Sequence, residues 1–176
     1  MEPNERLDQA DLLASLNPSA ERPVDLRRAV SAACYAVFHH LVREGVRQRL
    51  GPSPRPAATA HVLARAFSHE ELRTICGAFG NGVGGWKVWM RDLLGGTDFA
   101  VPDELREACR EFVQLMQLRH RANYDPSWDP PAPQAQEIVA QARTVIDLFD
   151  AAAGSPGHTF FLACLTDWKA LRTRGA

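Results

Sequence analysis

The chain has 176 residues, 45% apolar and 23% charged, with a formal net charge of −1. That length suits one well-packed domain over 1–176, and so balanced a charge excludes a globally basic nucleic-acid binder. No apolar run approaches a membrane span, and the acidic, amphipathic opening MEPNERLDQADLL is unlike a secretory signal. The cysteines Cys34, Cys76, Cys109 and Cys164 lie far apart and form no CxxC pair. Each sits in an apolar helical pattern, which predicts buried free thiols in a reducing cytoplasm, no metal site and no cofactor.

Helical periodicity dominates, with no run of alternating strand residues. A first helix fits 5–16, carrying Leu7, Leu12, Leu13 and Leu16 and stopped by Asn17-Pro18. The second starts at Pro23, which is tolerated in a first helical turn. It carries Leu26, Val30, Ala33, Cys34, Val37, Phe38 and Leu41, and continues to Leu50 before Gly51. A third helix fits 58–67, with Val62, Leu63, Ala66 and Phe67. Ser68 with Glu71 three residues on predicts a capping box for a fourth, carrying Leu72, Ile75 and Phe79. GAFGNGVGG is too glycine-rich to be helical throughout. Trp86, Val88, Trp89, Leu93 and Leu94 then form an apolar turn or short helix.

The next helix starts near Pro102-Asp103 and carries Leu105, Ala108, Phe112, Leu115 and Met116 into the segment LRHRANYDP. After the loop DPSWDPPAP, a helix fits 134–152, with Ile138, Val139, Ala142, Val145, Ile146 and Phe149, closed by Gly154. Ser155-Pro156 opens a last helix containing Phe161, Leu165, Trp168 and Leu171. The expected architecture is a single all-α bundle of up-and-down, antiparallel helices. The four tryptophans read as core or interface residues, since no basic stripe surrounds them.

Two polar features interrupt these patterns. Arg119 follows Met116, Leu115 and Phe112 by three, four and seven residues, so it continues a buried stripe where a leucine is expected. A guanidinium there needs a partner. Either it pairs with a carboxylate and helps end the helix, or it faces a ligand. In the second helix, Arg27, Ser31, Tyr35 and His39 recur at intervals of four along the border of the apolar face. With Arg119 and Tyr124 they could close a small polar pocket between two helices.

These two segments, LRRAVSAACYAVFHHL (26–41) and MQLRHRANYDP (116–126), resemble the HEPN superfamily. The similarity is closest to small bacterial members that pair an RRAVSxxYYAxFH helix with an RxxADYD helix end. The resemblance implies an up-and-down helical bundle and a homodimer. It also implies a toxin–antitoxin or defence role, often beside a nucleotidyltransferase-type antitoxin partner, and in many members a metal-independent ribonuclease. Those ribonucleases place a histidine beyond four to six intervening residues from the motif arginine. Counting from Arg119, this chain has Tyr124, Asp125 and Pro126 there.

The expectation is therefore nucleotide or RNA binding through Arg119, Arg121, Tyr35, Ser31 and Arg27, with a degenerate ribonuclease site. Metal-free RNA cleavage needs a base, an acid and a cation for the phosphorane. Histidine is the side chain suited to proton transfer near neutral pH, and His39 and His120 could supply it. If the site is an active ribonuclease, its catalytic candidates are Arg119, His120, Tyr124 and His39. A third possibility is a helical adaptor that binds a partner protein.

Overall fold

The computed structural model describes residues 3–16, 22–51, 57–92 and 100–174. The fold is all-α, and no strand occurs among the described residues. In chain order the helices are α1 (Pro3–Ser15), α2 (Pro23–Leu50), α3 (Ala57–Ala64), α4 (His69–Gly80), α5 (Val88–Asp92), α6 (Asp103–Tyr124), α7 (Ala132–Ala151) and α8 (Pro156–Arg174). A 3-10 turn at Val83–Gly85 precedes α5. Contacts group the chain into two compact units. One comprises Met1–His40 with Glu111–Asp147, the other Leu41–Arg110 with Leu148–Ala176. The expected stop at Asn17-Pro18, and Leu93 and Leu94, lie outside the described residues.

In the first unit, the apolar stripes expected for α2, α6 and α7 are buried, from Leu26 to Val37, from Phe112 to Met116 and from Ile138 to Ile146. Cys34 Sγ meets Met116 Sδ at 3.6 Å, which ties α2 to α6. α1 departs from expectation. It buries Leu7, Ala10 and Ala14 and leaves Leu12 and Leu16 61% and 46% exposed. Small alanines allow a helix to pack closely, so its inward face is rotated away from the leucine-rich side. Arg143 of α7 holds this orientation through ion pairs to Asp8, at 3.3 Å, and to Asp11. Exposed pairs of this kind contribute little stability.

In the second unit, Ser68 caps α4 with extended backbone. Its Oγ accepts from the Glu71 N–H at 3.2 Å and donates to Glu71 Oε2 at 2.9 Å. α3 stops short of residue 67. Tight i→i+3 bonds at Arg65, Ala66 and Phe67 turn the chain before the cap, and Val62 is left 67% exposed. α4 runs through Gly77 to Gly80, so half of the glycine-rich stretch is helical. A Cβ at Gly80 would lie 3.2 Å from the Arg110 backbone N, and Arg110 Nε donates to the Gly80 carbonyl at 2.6 Å. Phe79, Trp86, Phe160 and Phe161 cluster beneath, and Trp89 meets Trp168 edge-on at 5.1 Å. All four tryptophans are buried, as are the four free cysteines.

Candidate anion-binding site

The site belongs to the first unit and is assembled on Tyr35. The border line of α2 falls where its spacing places it: Arg27, Ser31, Tyr35 and His39 are all half-buried beside a fully buried stripe. Arg119 is also half-buried, continuing the face of Phe112, Leu115 and Met116. Its Nη2 donates to the Tyr35 hydroxyl at 2.6 Å, and its Cζ lies over the Tyr35 ring, 4.5 Å from the centroid. His39, one turn further along α2, stacks on Tyr35 with centroids 6.2 Å apart and planes inclined by 26°.

A second cation completes the group. Arg6 of α1 reaches the same ring, with its Cζ 5.9 Å from the centroid. Among the described residues neither Arg6 nor Arg119 has a carboxylate partner, and the Nε of each is buried without an acceptor. Leaving a charged donor buried and unsatisfied is costly unless a ligand or water completes it. Two guanidinium groups with unused N–H donors around one phenol can take an anion by charge-assisted hydrogen bonds. His39 is biased toward its neutral form, first by partial burial and then by the charge of Arg6. A neutral imidazole beside the cations can accept a proton. Burial pushes the Cys34 thiol up to about 12 although Arg119 opposes this, so Cys34 is an inert core group.

The remaining expected residues divide. Arg27 is tied to the loop after α6: Nε donates to the Trp128 carbonyl at 2.6 Å, Nη2 to the Asp125 carbonyl, and Nε lies 3.4 Å from Asp129 Oδ1. Asp125 shapes that loop by accepting from the Ser127 hydroxyl and N–H. Those bonds hold its carboxyl below the usual range. Arg121 is exposed and lies 5.1 Å from the centroid of the buried Trp128 ring. His120 is exposed and meets Tyr124, itself 69% exposed, at 4.9 Å. Consecutive helical residues point about 100° apart, so Arg119 and His120 leave α6 in different directions. Ser31 lies half-buried one turn before Tyr35.

Arg6 is the participant that sequence reasoning missed. Its signal was present: Arg6 is three residues from Pro3 and four from Ala10, both buried. It was masked because the leucines of α1 suggested a different inward face. Among the described residues no group of three or more His, Cys, Asp and Glu side chains is placed to hold a metal ion, and no described helix is long and apolar enough to cross a membrane. No family model, curated protein or solved structure matches the chain.

Proposed function

We propose that the chain is a HEPN-like nucleotide- or RNA-binding protein of a toxin–antitoxin or related stress system, with a degenerate ribonuclease site. The observation that carries this reading is the pair of arginines around Tyr35, which among the described residues have no carboxylate partner and each keep a buried Nε lacking an acceptor. The resemblance of 26–41 and 116–126 to HEPN segments supports it, since Tyr35, His39 and Arg119 all come from those two stretches. The setting it implies is a cytoplasmic homodimer with a nucleotidyltransferase-type antitoxin partner. Light scattering should then report about twice the 19.5 kDa chain mass.

The test is titration of RNA and of nucleotides into wild type and Arg119→Gln. Binding should weaken by roughly 1–3 kcal/mol in the variant, the scale of a lost charged hydrogen bond, with the helical circular dichroism retained. Unchanged binding would remove Arg119 from the site, and no binding by either protein would favour the adaptor reading. One observation favours an active ribonuclease instead, the bias of His39 toward a neutral proton acceptor beside cations. Because Tyr124, Asp125 and Pro126 replace the usual histidine, metal-free cleavage by the wild type is expected to be weak or absent. Rapid cleavage that disappears in Arg119→Gln would reverse the order of the two readings.

A further inference from the structure

Charge counting narrows the ligand of this site. Arg6 and Arg119 bring two formal positive charges to one half-buried ring, and among the described residues no carboxylate pairs with either. An internal phosphodiester carries one negative charge and two non-bridging oxygens, and its chain must leave the site in both directions. A terminal phosphate monoester carries about −1.5 to −2 at neutral pH and presents three acceptor oxygens. In a partly desolvated site, uncompensated charge is unfavourable, so a dianion matches two guanidinium groups better than a monoanion does. Three terminal oxygens also supply enough acceptors for two forked donors.

The ring itself points the same way. Tyr35 is already occupied by Arg6, Arg119 and His39, which leaves little of its face for a stacked base. Recognition centred here therefore reads the phosphate rather than the base. We infer that the Arg6–Tyr35–Arg119 cluster takes a terminal phosphate monoester, the phosphorylated end of a nucleotide or RNA strand, in preference to an internal phosphodiester. The inference rests on the nucleotide- or RNA-binding reading and makes Arg6, on α1, a specificity-determining residue of that site.

The experiment compares two ligands of one base type on the full chain by calorimetry, at a pH above 7 where the monoester is a dianion. Adenosine monophosphate carries only a monoester, and the dinucleotide ApA, with hydroxyl ends, carries only a diester. The monophosphate should bind about tenfold or more tightly than ApA, the effect of one additional charge-assisted hydrogen bond. Arg6→Gln should erase most of that preference, and Arg6→Lys, which keeps the charge, should restore part of it. The wild-type comparison needs no variant, so a misfolded Arg6→Gln leaves the test intact. Equal affinity for the two ligands would overturn the monoester inference and leave the binding reading standing. Failure to bind either ligand or longer RNA would overturn both.

Discussion

Arg27 and Arg119 begin from similar positions and end differently. Both are half-buried arginines at the margin of the first unit's core, and both reach across to a neighbouring segment. Arg27 satisfies its donors on two loop carbonyls and has Asp129 beside it. Among the described residues Arg119 reaches one phenol, keeps a buried Nε without an acceptor, and has Arg6 rather than a carboxylate as its charged companion around Tyr35. Burial and residue type do not separate the two arginines. The inventory of acceptors around each does.

That contrast is broken most directly by removing Arg27. Arg27→Met should cost about 1–3 kcal/mol, because it leaves two loop carbonyls without their donor. Thermal melting should show the loss, while nucleotide affinity stays close to that of the wild type. If Arg27→Met abolished binding at unchanged stability, Arg27 would belong to the site and the contrast would fail.

A smaller effect sharpens the description of the Tyr35 end. His39 is held below its ordinary pKa in the folded chain, so the unfolded chain takes up its proton first. Stability from this group is therefore complete above the ordinary histidine value, near 6.5, and is lost as pH falls below it. His39→Gln should make the acid limb of a melting-temperature profile shallower below about pH 6.5. A limb that steepens in the variant would mean that protonated His39 is stabilised in the fold, against the influence of Arg6.

Much of this molecule was legible in the sequence because helical periodicity and caps are local signals. The boundaries of α2 agree at both ends, and Ser68 and Gly154 mark their termini. The α2 border line and the inward position of Arg119 also followed from spacing alone. What spacing could not supply was the partner of each polar group. Arg27 and Ser31 share a line with Tyr35, yet only tertiary contacts reveal that Arg27 is claimed by carbonyls 98 and 101 residues away. α1 failed for another reason. Leucine outranks alanine in any reading by hydrophobicity, but close helix packing favoured Ala10 and Ala14, and that rotation brought Arg6 to Tyr35.

The central claim is that Arg119 faces a ligand and is not a structural ion-pair member. The most direct test is Arg119→Met, which keeps the apolar stem and removes the guanidinium, measured for melting temperature and nucleotide affinity on one preparation. The lost bond to Tyr35 is offset by removal of an unsatisfied buried donor. Melting should therefore stay within about 2–4 °C of the wild type, the shift of roughly 1 kcal/mol in a chain this long, while affinity falls about tenfold or more. A melting temperature lowered as far as in Arg27→Met, with affinity unchanged, would contradict the account.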